Sequence, residues 1–307
     1  MEKYEKIGNV ILNYEYYNGS DEYSDGDVEN DMLELIKSND DVMDIISKDN
    51  RWPILYHFSP VRHNILEWYD MEKDASVLEI GSGCGAVTGV LCKKAKNVKC
   101  IELSRRRSLI NAYRNKDYDN LEIMVGNFND ISITEKYDYI TLIGVLEYAD
   151  YYTDSKDSFV DFLKNVSRYL KDDGRLLIAI ENKFGLKYWA GFTEDHTGRC
   201  FDGIENYAET ESKVRTFSRK ELEILVKNAG FKNVEFYYPM PDYKMPLEIY
   251  SDYYLPTSSD INVEQRTYDN NRIKLFNENL AYQNIIDEGM FPFFANSFFV
   301  NAGKNEV

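Results

Sequence analysis

The segment Val77-Leu78-Glu79-Ile80-Gly81-Ser82-Gly83-Cys84-Gly85 runs an apolar strand pattern straight into a glycine turn, with a helical pattern following it. A Cβ on these glycines would block both the turn and the close approach of a ligand to the backbone, so the segment predicts a binding turn. Gly81-x-Gly83-x-x-Ala86 also fits the dinucleotide fingerprint. Glu79 tells against that reading, because its charge would lie close to a pyrophosphate held by the turn; an acid there suits a cationic ligand. A second chemical signal is Glu194-Asp195-His196-Thr197, in a long segment without clear periodicity. Neighbouring carboxylates raise the pKa of an imidazole and make it a better proton acceptor, which makes His196 a candidate general base. The plainer alternative is a loop histidine among surface acids. The other histidines are His57 and His63, and His63 falls on a helical pattern ahead of the first central strand, where a structural role is expected.

These groups need a scaffold, and the chain supplies one by alternation. After a strand over 76–80 come helix 85–95, strand 98–103, helix 104–115, strands 121–125 and 138–144, helix 156–170 and strand 175–181. Such alternation implies a parallel sheet with helices on both faces. The run Ser218 to Gly230 carries a serine cap, Glu221 three residues on and a terminal glycine, and the pattern beyond it predicts a further strand; the last strand is expected over 294–303. Two segments interrupt the scheme, 183–217 and 240–293, the latter with a helical pattern near Arg272 to Glu288. Insertions of that length are usually lids or binding elements.

The chain has 307 residues, with 53 acidic against 36 basic side chains and a net charge of −17. That field repels the phosphate backbone, so the expectation is no nucleic-acid partner. Residues 1–50 hold 14 acids and 4 bases. Asp21 to Asp31 look like a solvated loop and the two stretches after it like short amphipathic helices, predicting an acidic helical cap over 1–50 ahead of a main domain over 51–307. Cys84, Cys92, Cys100 and Cys200 form no C-x-x-C pair, so free thiols and no metal site are expected. No run approaches the about 18 apolar residues of a membrane helix, and the N-terminus lacks a signal-peptide core. The expectation is a cytoplasmic protein without membrane insertion. Arg105, Arg106 and Arg107 read as a solvated helix face and receive no role.

Leu78-Glu79-Ile80-Gly81-Ser82-Gly83-Cys84-Gly85 resembles the first motif of the class I S-adenosylmethionine-dependent methyltransferases, and the likeness extends over 76–240. The resemblance implies an α/β fold with a Rossmann-like, seven-stranded, mostly parallel sheet, here with the N-terminal helical cap and lid insertions. It implies S-adenosylmethionine as cofactor, with Glu79, Gly81, Gly83 and Gly85 at its methionine part. It places Glu102, at the end of the second strand, on the ribose hydroxyls, where a carboxylate accepts two hydrogen bonds from a vicinal diol. Asn127 stands where the family usually has Asp against the adenine amine, with Phe128 packing on the ring; Tyr56 and His57 are candidates for the cofactor mouth. Glu147, in the segment after the fourth strand, becomes a candidate catalytic residue beside the methyl group, although a helix-start carboxylate gives the same pattern.

Methyl transfer of this kind is direct displacement, so few residues are obligatory. The sequence lacks the Asp/Asn-Pro-Pro-Tyr/Phe segment of base-methylating enzymes and a Pro-Cys nucleophile. The segment from Glu181 to Tyr207, rich in acids and aromatics around His196, is the best acceptor-site candidate. The stretches 51–70, 180–198 and 237–256 look like methyltransferase domains that accompany glycosyltransferases in bacterial surface-polysaccharide and flagellar-glycan clusters. That likeness implies a small-molecule or glycan-linked acceptor, a sugar or an amino-acid-like substituent. A non-catalytic cofactor-binding or scaffolding protein and a nicotinamide-dependent oxidoreductase are the alternatives. The oligomeric state is not legible.

Overall fold

The computed structural model describes residues 2–21, 26–38, 41–153, 155–262 and 272–306. The chain divides into two compact units, Met1–Leu142 with Tyr169–Gly174, and Ile143–Arg168 with Arg175–Val307. Part of the acidic loop expected at Asp21 to Asp31, residues 22–25, lies outside the described residues, as do residues 263–271 of the second insertion.

The first unit holds β1 (Tyr4–Ile7), β2 (Val10–Tyr16), α1 (Val28–Lys37), α2 (Val42–Lys48), α3 (Trp52–Phe58), α4 (Asn64–Glu67), β3 (Ser76–Ile80), α5 (Thr88–Lys94), β4 (Asn97–Glu102), α6 (Arg105–Arg114), β5 (Leu121–Gly126) and β6 (Tyr137–Ile143). Its strands lie in the order β1-β2-β5-β4-β3-β6. β3 is parallel to β4 and β6, with Val77 opposite Val98 and Leu78 opposite Ile140. Val77, Leu78 and Ile80 are all buried, as expected of a parallel strand covered on both faces.

The first fifty residues correct the expectation of a purely helical cap. They open with a β1–β2 hairpin, and β2 runs parallel to β5, with Leu12 opposite Ile123. The hairpin turns at Gly8, whose φ is +59° and where a Cβ would come within 2.3 Å of the Lys116 carbonyl. Helices α1 and α2 then pack on α3 and α6 through Met32, Ile36, Ile45, Ile54, Phe58 and Ile110, a cluster that also takes in Cys84 of the glycine turn. The acidic segment thereby supports the turn from below. Arg106 and Arg107 correct a second expectation. Arg107 is buried, and the two guanidinium groups grip the fully buried Glu29 of α1 at 2.9 and 2.7 Å.

The second unit contains α7 (Ala149–Tyr152), α8 (Ser158–Arg168), most of β7 (Leu170–Glu181), α9 (Leu186–Trp189), α10 (Arg219–Asn228), β8 (Asn233–Met240), β9 (Glu248–Ser251), α11 (Glu278–Asp287), α12 (Phe291–Phe294) and β10 (Ser297–Gly303). The strand order is β7-β10-β8-β9, every pairing antiparallel. Helix α10 starts at the predicted capping box, with Ser218 and Glu221 bonded reciprocally. β1, β2 and β9 raise the predicted seven strands to ten among the described residues. No helix of the described residues is long and apolar enough to cross a membrane.

Candidate active site

In the first unit the glycine turn closes by hydrogen bonds of Gly81 N–H and Ser82 N–H to the Ile101 carbonyl. Its glycines do different work. Gly83 has φ +51° and a Cβ there would meet nothing within 4 Å, which leaves the backbone open to a ligand. At Gly85 a Cβ would lie 2.3 Å from Asn111 Oδ1, so the absent side chain lets α6 approach. Glu102 is buried; its Oε2 accepts Gly83 N–H at 2.7 Å and its Oε1 accepts Ser104 N–H at 2.9 Å, leaving a lone pair on each oxygen. Ser82 Oγ is buried with no hydrogen-bond partner among the described residues.

Glu79 faces inward. Its Oε2 accepts the Thr88 hydroxyl at 2.6 Å and the Cys100 thiol at 3.1 Å, and burial pushes its carboxyl up to about 7. Asn127 uses its side-chain oxygen to cap the Asn129 N–H at 3.0 Å, which leaves its amide hydrogens to donate. Phe128 is buried, edge-on to Tyr169 with ring centroids 5.7 Å apart. Tyr56 lies 5.3 Å from Trp52 and carries the Arg62 guanidinium over its ring at 4.3 Å. Arg62 is buried and Arg114 donates to the His57 carbonyl. Neither arginine belongs to a motif, so neither was expected at this site. The open backbone at Gly83, the orphaned Ser82 hydroxyl and the spare lone pairs of Glu102 fit a ligand carrying a vicinal diol.

The second unit gathers a different set. Gly144 follows β6 with φ +69°, where a Cβ would press to 2.9 Å from Tyr243 Oη, and leads to Glu147 in a single 3-10 turn. Glu181 ends β7 and His196 comes from the insertion after it. His196 Nδ1 lies 3.1 Å from Glu194 Oε1, and its Nε2 lies 3.9 Å from Glu147 Oε1. Glu194 also accepts the backbone N–H groups of His196 and Thr197, each at 2.7 Å, while Tyr207 Oη donates to it and binds Thr216. Tyr207 holds φ +58°, a strained value for a side chain of that size, in a segment where Phe201 and Asn206 are also left-handed. Asp195, the other acid expected at the imidazole, turns away to Lys187, Lys244 and Tyr188.

Glu147 and Glu181 are both fully buried, and the Oε2 atom of each has no hydrogen-bond partner among the described residues. Lys244 Nζ sits 2.8 Å from Glu181 Oε1, and Lys187 Nζ 2.6 Å from Asp242 Oδ2. Burial and then the Glu181 charge raise Glu147 to about 8. Burial would also raise Glu181, but Lys244 and His196 hold it below the usual carboxylate value. Burial would lower His196; the hydrogen bond to Glu194 and the charges of Glu181, Glu194 and Glu147 outweigh it and lift the imidazole to about 9. The direction agrees with the sequence reading, yet the consequence differs. At neutral pH His196 keeps its proton and presents a positive donor. Glu147, Glu181 and His196 each offer a ligand atom within 4.8 Å of the others, close enough to surround a cation. Lys187, Lys244 and Asp242 carried no signal in the sequence, being 49 or more residues away or embedded in a helix pattern.

A family model of the methyltransferase domain matches residues 56–236, more than half of the chain. The chain belongs to this methyltransferase family. S-adenosylmethionine is the cofactor, and the α/β fold of class I is the one observed. The chain is similar to an uncharacterized methyltransferase of Staphylococcus carnosus, 33% identical over 139 residues, covering 45% of this chain and 62% of the relative. It is also similar to ribosomal RNA small subunit methyltransferase A of Mycoplasma capricolum, 24% identical over 183 residues, covering 58% of this chain and 60% of that one. The chain thus spans about three fifths of the length of these two relatives. Among solved structures, a SAM-dependent methyltransferase of Thermotoga maritima aligns with 89% of this chain and all of its own, at 15% identity and a TM-score of 0.49.

Proposed function

We propose that this methyltransferase moves a methyl group from S-adenosylmethionine to an oxygen or nitrogen of a small polar acceptor bound at Glu147, Glu181 and His196. The observation that carries this reading is the pair of buried, unpartnered Oε2 atoms beside the histidine. A buried acceptor left unmade costs about 1–3 kcal/mol, which a donor-bearing ligand would recover. When bound, the cofactor supplies an electrophilic methyl on a sulfonium, whose carbon–sulfur bond breaks with the pair retained on sulfur. Glu102 would hold the ribose hydroxyls, Gly81 and Gly83 the methionine part beside Ser82, and Asn127 with Phe128 the adenine; Tyr56, Arg62 and Arg114 are assigned to the methionine carboxylate end. Glu79 acts from behind the turn, and Gly85 through helix packing.

A sugar or an amino-acid-like glycan substituent is the acceptor class we favour, because Trp189 and Phe201 of the insertion are more than a third exposed and aromatic faces pack on sugar rings. The insertion 183–217 and the described parts of 240–293, residues 240–262 and 272–293, would form the lid. Glu102→Ala removes two charge-assisted hydrogen bonds worth roughly 1.5–3 kcal/mol each, so calorimetry should show S-adenosylmethionine binding at least about tenfold weaker. Unchanged affinity would refute the ribose assignment. Turnover in the wild type, read as S-adenosylhomocysteine release, separates an enzyme from a scaffold.

Nucleic acid is not the proposed acceptor, in contrast to the ribosomal RNA enzymes among the relatives. The support is a net charge of −17 and the acidic character of the second-unit cluster. Mobility shifts with duplex and single-stranded oligonucleotides at physiological salt should show no complex. Micromolar binding that weakens steeply with added salt would transfer the acceptor assignment to RNA or DNA.

A further inference from the structure

We infer that the acceptor enters the second-unit cluster as a protonated primary amine, so that the methylated atom is nitrogen; this inference rests on the methyltransferase reading above. The first argument is charge. With Glu147 protonated, Glu181, Glu194, Asp195 and Asp242 still face Lys187, Lys244 and His196, four carboxylates against three cationic groups. The lysines are already shared, Lys244 between Glu181 and Asp195, and Lys187 between Asp195 and Asp242. A further positive charge is what the buried site lacks.

The second argument is donor count. Glu147 and Glu181, each with an unpartnered oxygen, offer carboxylate oxygens within 4.8 Å of one another and of a ring nitrogen of His196, whose Nε2 lies 3.9 Å from Glu147 Oε1. One nitrogen about 2.8 Å from an oxygen of each carboxylate fits that span, and an ammonium group carries enough N–H bonds to reach both. Once Glu147 is ionised and able to take a proton, a hydroxyl acceptor with its single hydrogen would leave one carboxylate unserved.

The same arrangement disposes of the proton. Nitrogen must lose one proton before its lone pair can form the new bond to carbon. Among the groups facing it, Glu181 is held ionised by Lys244, and Lys187 and Lys244 are themselves charged. His196 keeps its proton to about 9. Glu147, whose carboxyl is raised by burial and by Glu181, therefore takes it. After the nitrogen–carbon bond forms, the product amine is again a cation and the proton on Glu147 leaves to solvent.

The test uses the full-length protein with S-adenosylhomocysteine present, titrated calorimetrically with ethanolamine and glucosamine and with their hydroxyl counterparts, ethylene glycol and glucose. We expect at least one amine to bind more tightly than about 10 mM and its hydroxyl counterpart at least about tenfold more weakly. The Glu147→Gln/Glu181→Gln variant should lose the amine signal, and Glu181→Gln alone, checked for an unchanged circular dichroism spectrum, serves if the double variant does not fold. Equal binding of both classes, or no binding of either amine, would overturn the inference. Stoichiometric Mn²⁺ binding that displaces the amine would also overturn it, in favour of a metal site. If S-adenosylhomocysteine binds and methylation falls on oxygen, the amine inference fails while the methyltransferase reading stands. If the cofactor product does not bind, that reading fails, and the amine titration is still readable without it.

Discussion

Glu147→Gln should lower turnover by about 10² to 10⁴ while S-adenosylmethionine affinity changes less than twofold. The substitution keeps the volume and one hydrogen-bond acceptor but removes the group that takes the proton. The residues proposed to hold the cofactor belong to the first unit, so affinity is expected to be spared. The pH profile carries the sign. Glu147 is protonated below about 8 in the free enzyme and becomes a proton acceptor above it, so kcat/KM should climb with rising pH through that region. In Glu147→Gln this limb should vanish. His196 is still protonated there, and its positive charge lowers the Glu147 value. His196→Ala should therefore reduce turnover and displace the limb to higher pH, a shift that a merely structural histidine would not produce. Full turnover in Glu147→Gln with an unmoved profile would remove the carboxylate from the chemistry and return the base role to His196.

The parts of this site that could be read in the sequence are those built from short local signals. The strand, glycine turn and acid from Val77 to Gly85 declare themselves because the backbone needs glycine at successive positions. The family resemblance then points to Glu102, which ends the next parallel strand, and its carboxylate accepts the Gly83 N–H. The purpose of Gly85 was not readable, since the Asn111 side chain that excludes a Cβ lies 26 residues on, in another helix. His196 was visible by its acidic neighbours, although only Glu194 reaches the ring. Its other partner, Glu147, comes from a turn 49 residues earlier. Lys244 reaches Glu181 across 63 residues. Such pairs depend on chain crossings that no local periodicity records, and a lysine or glutamate read singly defaults to the surface.

The same limitation explains the misread arginines, and it leads to the largest stability effect expected in the first unit. A run of three arginines beside a strand end reads as solvent-facing, whereas the acidity concentrated in residues 1–50 is what receives them. Asp21 accepts the backbone N–H groups of Arg105 and Arg106 at the start of α6, Asn30 binds Arg106, and Glu29 takes both Arg106 and Arg107. Glu29→Ala removes the carboxylate that faces a buried guanidinium, and breaking a buried pair from one side costs about 3–5 kcal/mol. Chemical denaturation of the cofactor-free protein should show that loss in the transition reporting the first unit. Because α1 shares its packing with Cys84, the glycine turn should loosen with it, and S-adenosylmethionine affinity should fall in step. Replacing the pair together, Glu29→Met with Arg107→Met, removes both charges at once and should restore much of the stability, since apolar substitutes of similar volume are often neutral or better. A Glu29→Ala variant within about 1 kcal/mol of wild type would mean that solvent reaches Arg107 easily and that the acidic segment is held by its apolar cluster alone.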